Sequence, residues 1–480
     1  MKRLFVLLFA LVLSTSALAQ EGTAASLYDH LNRHVNPNAA ITSENVGQLQ
    51  QTWMVKTEEE VSHAPLVEGG RVYFADWGGK VYAADAATGK VVWEQQAQKT
   101  VMEKWPWYGF AGTGALGEGM LFEASVEGFA YGLKQETGKV AWKTRITDDK
   151  QAGSISKLLY YDGLVYIGLQ SVEEPLSKMM KNFKPNFRGK VLALDAATGK
   201  VVWERQLVTK PHNGVPMWSS FALDPKMNAL FFTTGNNYTG EPTELSDAVV
   251  AVNAKTGKML WATQVTEEDV WTKAEAIGPD FDFGAGPQLF EAKVDGKMRP
   301  LVGAGQKSGF YWAFDRKTGE IVWQTFVGYG ATGGGIHAEA SIGDGKVYVW
   351  SNNSYAYGKP PKEFPITIKA LDAATGKNLW FHDKAQPAAI PAASMLANDV
   401  YFVGSLDGTI GAYSASDGEQ LWSTQYGGTI ATPLNVVGNT LFFGTGVPKM
   451  FGGQPGGNGM VAYSVGGQAN LEERGTDAGQ

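Results

Sequence analysis

The chain has no cysteine among its 480 residues. That excludes disulfides, thiolate metal sites, a lipidated N-terminal cysteine and the C-x-x-C-H attachment of covalent haem. In an exported chain it fits a bacterial periplasm better than a eukaryotic secreted scaffold, where disulfides are common. Histidine is scarce, at six, and no H-x-x-x-H pair offers two zinc ligands on one helix face. His63, His212 and His337 fall between repeats and read as polar loop or core residues, with three glycines before His337 leaving its backbone free to approach a ligand closely. Positive charge is not in excess: the formal net charge is −7, so no basic field is available to displace counterions from nucleic acid. Long apolar runs are missing as well. The one at Leu4–Leu13 is too short for a mature membrane span. It follows Met1-Lys2-Arg3 and precedes Ala17-Leu18-Ala19-Gln20, which predicts a cleavable secretory signal over residues 1–19 and a periplasmic mature chain without a membrane span.

Glycine and aromatic residues are plentiful, at 59 residues and 12%, which suits short strands and many turns. Length alone suggests about three domains of ~150 residues, but a repeat overrules it. The segments VYAADAATGKVVW, YGLKQETGKVAW, VLALDAATGKVVW, VVAVNAKTGKMLW, YWAFDRKTGEIVW, IKALDAATGKNLW and IGAYSASDGEQLW end at Trp93, Trp142, Trp203, Trp261, Trp323, Trp380 and Trp422. Asp85, Asp195, Asp315 and Asp372 can accept hydrogen bonds from turn amides, and Gly89, Gly199, Gly319 and Gly376 supply the positive φ that closes a hairpin. A tryptophan with a buried ring and one N–H to satisfy can staple neighbouring repeats. A β-patterned repeat of this size predicts an all-β, eight-bladed β-propeller with Trp-ended repeats. The eighth copy, GMVAYSVGG, lacks its last strand, and the segment around Trp53 is expected to supply it, so that the N- and C-terminal strands close one blade and leave no open edge. The expected organisation is a signal peptide at 1–19, one propeller over 20–467 and a polar, disordered tail at 468–480.

The turn aspartates thereby belong to the scaffold. Residues the repeat does not need lie in inserts expected at one mouth of the propeller. These are Ser171-Val172-Glu173-Glu174, His212–Trp218 with Thr234-Gly235-Asn236-Asn237, Gly278–Pro287 with Asp280 and Asp282, and Gly305–Gly309 with Lys307. Glu, Asn and Asp are hard oxygen donors of the kind Ca²⁺ takes. Asp280 and Asp282 would share one face of an extended segment, and their repulsion asks for a cation or a proton between them. Lys307 could balance that charge.

Taken together, these residues resemble the pyrroloquinoline quinone (PQQ)-dependent alcohol dehydrogenases, an eight-bladed quinoprotein family. In motif they are closest to its polyvinyl alcohol dehydrogenases. The resemblance implies Glu173, with Glu174 as the competing register, and Asn236 as metal ligands, and Trp218 as the floor on which PQQ stacks. It implies Asp280 as catalytic base and metal neighbour, and Lys307 as the contact to the quinone oxygens. Asp282 is implied as an extra ligand that accompanies lanthanide use in some relatives and ordinary divalent metals in others; calcium is the main expectation. The implied reaction oxidises an alcohol, polymeric or secondary alcohols included, by hydride transfer to metal-bound PQQ, and the electrons then go to a separate carrier such as a c-type cytochrome. Three departures stand out. The ring disulfide that covers PQQ in many relatives cannot form, which leaves Trp105-Pro106-Trp107-Tyr108 as a candidate roof. Ser62-His63-Ala64-Pro65 stands where an acidic residue is usual. Gly335-Ile336-His337 stands where many relatives carry a tryptophan. A non-catalytic propeller scaffold for envelope protein assembly shares the repeat, and a sugar-binding propeller is a third reading. Neither needs Glu173, Trp218, Asn236, Asp280 and Lys307 together.

Overall fold

Asp85, Asp195, Asp315 and Asp372 each fold a carboxylate back onto the amide of the threonine three residues on, at 2.8, 2.8, 3.2 and 2.9 Å. The following glycines take φ of +71, +69, +77 and +68°. These turns join the third and fourth strands of each repeat. The computed structural model describes residues 29–98, 108–274, 276–353, 366–384, 394–448 and 457–473. Over them the chain forms eight four-stranded antiparallel blades of a β-propeller. In blade 8, Asn435–Val437, Thr440–Thr445 and Gly459–Val465 are completed by Leu49–Lys56, which pairs antiparallel with Gly459–Val465. The missing strand is therefore the one around Trp53, as the eighth repeat requires.

The tryptophans act as bolts between blades. The indole N–H of Trp53 donates to Ala86 O in blade 1 at 3.1 Å, and that of Trp93 to Gln135 O in blade 2 at 2.9 Å. Trp142, Trp203, Trp261, Trp323 and Trp380 repeat the bond to the next blade at 2.8–3.2 Å. The turn glycine has a second duty: a Cβ on Gly89 would lie 2.7 Å from the Trp53 ring, and one on Gly199 2.4 Å from Trp142. One residue thus satisfies both a left-handed turn and the seat of the neighbouring indole.

Sequence patterning gave no sign of the strap at residues 30–40. Its carbonyls accept from the inner strands of four successive blades: Leu223 N–H to His30 O (2.7 Å), Leu289 to Leu31 (2.8 Å), Ile342 to Arg33 (2.8 Å) and Leu396 to His34 (3.0 Å). Ala40 N–H then reaches Gly438 O in blade 8 at 2.7 Å. The tail also differs from expectation. Residues 468–473 are held, with Asn439 N–H donating to Asn470 O (2.9 Å) and Asn36 Nδ2 to Glu473 Oε1 (3.0 Å). The signal segment and Trp105–Trp107 of the candidate roof lie outside the described residues, while the Tyr108 hydroxyl reaches Glu59 at 3.4 Å. No described helix is long and apolar enough to cross a membrane.

Blades 4 and 5 share a buried ion pair. Arg316 donates to Asp224 at 2.9 Å and to Phe290 O at 2.7 Å. Burial pushes the Asp224 carboxyl up, yet its bond to Arg316 holds it below the usual range. Removing one partner of such a pair strands the other charge in the interior. Arg316→Ala is expected to destabilise the fold by ~3–5 kcal/mol, read as a lower unfolding midpoint in denaturant.

Candidate active site

The inserts are stitched to one another at one mouth of the propeller. Gly214 N–H donates to Phe187 O (2.8 Å), Val215 to Asn236 O (2.8 Å), and Gly235 to Pro216 O (2.9 Å). Trp271 N–H reaches Asn237 O (2.9 Å), Lys307 N–H reaches Asp282 O (2.9 Å), and Ile336 N–H reaches Gln306 O (3.0 Å). The segments leaving blades 3 to 6 thereby hold each other in place.

At the centre, Lys307 Nζ donates to Asp280 Oδ1 and to Asp282 Oδ2, both at 2.8 Å. All three side chains are buried. Burial opposes the lysine charge, but Asp280, Asp282 and Glu174 outweigh it and raise the ammonium above its ordinary value. Asp280 is pushed well up, first by burial, with Lys307 pulling down and Asp282 and Glu174 adding to the rise. Its backbone sits at φ +61°, a left-handed conformation uncommon outside glycine and tolerated best by Asn and Asp. Asp269, buried and absent from the sequence reading, holds that conformation: its Oδ1 accepts from Asp280 N–H at 3.1 Å and its Oδ2 from Phe281 N–H at 2.6 Å. Strain of this kind, fixed by its surroundings, concentrates at functional sites.

Asn236 joins the same cluster. Its backbone N–H donates to Asp282 Oδ1 (2.7 Å) and its Nδ2 to Trp271 O (2.8 Å), so its amide oxygen faces away from both bonds. That Oδ1 is enclosed and has no hydrogen-bond partner. A buried acceptor left open is costly, and it is a hard oxygen of the kind a cation takes. Trp218 lies alongside, with Lys307 Nζ 5.6 Å from its ring centroid. Asp247, also missed in the sequence, is buried nearby with neither carboxylate oxygen partnered, and burial followed by Asp282 raises its pKa well above the usual range.

The two glutamates separate. Both begin helix α1 (Glu173–Met179), inserted between the second and third strands of blade 3. Glu173 Oε2 accepts from Asn186 N–H (2.9 Å) and Phe187 N–H (2.8 Å), while its Oε1 is enclosed without a partner. Burial lifts it to about 7 against those two amides, and its charged neighbours are Asp149 and Arg188. Glu174 instead interacts with Asp282, Lys307, Lys273 and Asp269, and burial, then Asp282, raises its pKa. Glu174 thus feels the charges of the cluster, whereas Glu173 is fixed by the Asn186 and Phe187 amides with one oxygen still open. Among the described residues no three His, Cys, Asp or Glu side chains converge closely enough to hold a metal by themselves. The open Asn236 oxygen, the crowded carboxylates and the flat Trp218 face fit a hard cation and a planar anionic cofactor. His63 is a satisfied core residue, bonded to Glu123 Oε1 (2.9 Å) and Ala64 O (2.6 Å), and His212 sits in a loop against Glu241 O (3.2 Å).

A closed eight-bladed propeller with a buried lysine–carboxylate cluster beside a tryptophan at its mouth defines the architecture. The comparisons narrow it. A PQQ-repeat family model, described as outer membrane protein assembly factor BamB, matches residues 42–325, 242–358 and 366–467. The chain belongs to this PQQ-repeat propeller family. It is 28% identical to the polyvinyl alcohol dehydrogenase of Sphingopyxis sp. over 82% of its own length and 66% of that protein's. It is 29% identical to that of a Pseudomonas sp., over 85% and 67%. The chain thus spans about two thirds of these relatives. In fold it is similar to the quinohemoprotein alcohol dehydrogenase ADHIIG of Pseudomonas putida HK5 (TM-score 0.75, 21% identity, 94% of this chain and 81% of that one). It is also similar to BamB of Moraxella catarrhalis (TM-score 0.58, 15% identity, 87% and 99%).

Proposed function

We propose that this chain is a periplasmic PQQ-dependent dehydrogenase that oxidises secondary or polymeric alcohols and passes the electrons to a separate carrier such as a c-type cytochrome. The observation that carries the reading is the Lys307 ammonium bonded to Asp280 and Asp282 at 2.8 Å beside Trp218. Unlike the Arg316–Asp224 pair within the blades, this cluster lies in the inserts, outside anything the repeat needs, which favours chemistry over scaffolding.

When bound, PQQ would supply the two-electron acceptor. Trp218 offers it an aromatic face. Asn236 Oδ1, Glu174 and Asp280, with Asp282 as a further oxygen, would hold the cation, calcium in the first instance and a lanthanide as the variant. Asp280 takes the proton of the substrate hydroxyl. Lys307 stabilises negative charge that develops beside it in a site from which water is largely excluded. The insert segments position these groups before substrate arrives, so little reorganisation accompanies the reaction.

Reconstitution of the purified chain with PQQ and Ca²⁺, followed by dye reduction with 2-pentanol and with polyvinyl alcohol, tests this. Turnover that needs both PQQ and metal is the expected result, and inertness toward every alcohol with the cofactor bound would refute the reading.

The glutamates give a second test. Glu174→Gln should weaken Ca²⁺ binding by about tenfold or more through the lost charged ligand, measured by calorimetric titration, whereas Glu173→Gln should change it little. The Glu173 substitution should act on stability instead. Because the folded pKa is raised from 4.5 to about 7, the native state holds a proton the unfolded state has lost between those values, and stability falls as pH rises through them. Gln imitates the protonated form, so Glu173→Gln is expected to stabilise the metal-free protein by about 3 kcal/mol at pH 8 and hardly at pH 4. Equal melting shifts at both pH values would contradict it.

A further inference from the structure

Asn32, on the strap, is buried at 1% exposure and has φ +57°, a left-handed conformation that asparagine tolerates better than most residues. Its side-chain amide makes four bonds. Nδ2 donates to Ser220 Oγ (2.8 Å) and to Pro287 O (2.9 Å), while Oδ1 accepts from Lys157 Nζ (3.1 Å) and from His34 Nε2 (3.1 Å). A carbonyl on one side and an ammonium on the other fix the orientation of the amide, and so place a His34 proton on Nε2. Both donors and both acceptor lone pairs are used. Lys157, Ser220 and Pro287 belong to the segments that enter the first strands of blades 3, 4 and 5. The strap is already held to the blades by its carbonyls, which leaves this side chain to serve the segments it touches.

Those segments carry Trp218, two residues before Ser220. Ser220 Oγ donates to Glu339 Oε1 at 2.8 Å, and the same oxygen accepts from Gly286 N–H at 3.4 Å. Glu339 lies two residues past His337, whose ring stands 6.4 Å from the Trp218 ring. The Ser220–Glu339 bond therefore links the two segments that present these rings. Ser219 is held as well. Its carbonyl accepts from Lys157 N–H at 3.3 Å, and its hydroxyl donates to Thr233 Oγ1 at 2.6 Å, whose own proton goes to Ala285 O at 3.1 Å. Gly286 leaves no slack, because a Cβ there would collide with Ser220 Oγ. Asn32 thus grips the Trp218–Ser220 segment twice, directly at Ser220 and through Lys157, whose backbone holds Ser219.

We propose that Asn32 is a positioning residue that sets the seat of Trp218, and with it the affinity of the site for a planar quinone. The proposal rests on the quinone-site reading above and adds to it a residue remote in sequence from every insert.

Equilibrium dialysis of PQQ with Ca²⁺ present tests it on the wild type, Asn32→Asp, Trp218→Ala and the double variant, with denaturant unfolding of each protein measured alongside. Asp keeps the size, the left-handed turn and the acceptors for Lys157 and His34, but loses both donors. Asn32→Asp should weaken PQQ binding by about tenfold, the worth of one or two lost hydrogen bonds. A positioning role predicts that this loss disappears in the Trp218→Ala background, whereas a general loss of stability would persist there. Ser220→Ala cuts the same link from its other end. It should show the same loss and the same coupling to Trp218, and it carries the test should Asn32→Asp fail to fold. Equal affinity of variant and wild type, or a loss undiminished in the Trp218→Ala background, would overturn the proposal. A wild type that binds no PQQ overturns the quinone reading itself, and is distinguished by arising before any substitution.

Discussion

Replacing Asp280 with Asn should reduce turnover by about a thousandfold or more at saturating Ca²⁺ and PQQ, while leaving the fold in place. Asn keeps the shape of Asp and an oxygen that can accept from Lys307, now at 2.8 Å, but it cannot take a proton. The backbone at φ +61° tolerates Asn as readily as Asp, so the bond from Asp280 N–H to Asp269 survives the change. The pH profile sharpens the expectation. A base works in its deprotonated form, and burial raises the Asp280 pKa well above the carboxylate range. In the metal-free protein this carboxyl should therefore titrate at a higher pH than a solvated aspartate, and a cation bound beside it should bring it down again. Melting curves like those of the wild type, combined with lost dye reduction, would satisfy the prediction; retained turnover would place the base elsewhere.

The second large effect concerns Lys307. Lys307→Met keeps the length and apolar stem but removes the charge between two buried carboxylates. Stranding them should cost ~3–5 kcal/mol of stability, with Asp280 taking up a proton in compensation. Turnover should fall by roughly a hundred- to a thousandfold, the range for removing one group that stabilises developing charge. Loss of turnover alone would assign the lysine to chemistry only, and loss of stability alone would make it a structural ion pair. Both together are expected, and the stability part should shrink at acid pH, where Asp280 is neutral in either variant.

The propeller was legible because its information is local. An Asp-to-Thr turn, a glycine at positive φ and a terminal tryptophan recur within a dozen residues, and the physics that fixes each hairpin also places the indole against the next blade. Asp280, Asp282, Lys307, Asn236 and Trp218 were legible for the opposite reason, since the hairpins have no use for them. The register of Glu173 and Glu174 was not. Which of two adjacent side chains serves the cluster depends on how α1 enters from Ser171, and the Asn186 and Phe187 amides hold one oxygen of Glu173 while the other stays open. Asp269 and Asp247 carry no motif and reach the site only because neighbouring inserts bond to one another. The strap at residues 30–40 acts through its carbonyls, which every residue has, so its sequence carried no mark of it. The tail at 468–473 is similar in that its main-chain groups are the ones held, by the backbone and side-chain amides of Asn439.

The central claim is that the residues outside the repeat form a quinone site floored by Trp218. Equilibrium dialysis of PQQ, with Ca²⁺ present, against the wild type and Trp218→Ala tests it without any assumption about the substrate. The account predicts saturable binding of one PQQ per wild-type chain, weakened by about tenfold or more when the aromatic face is removed. Absence of saturable binding, or equal affinity in the two proteins, would contradict it.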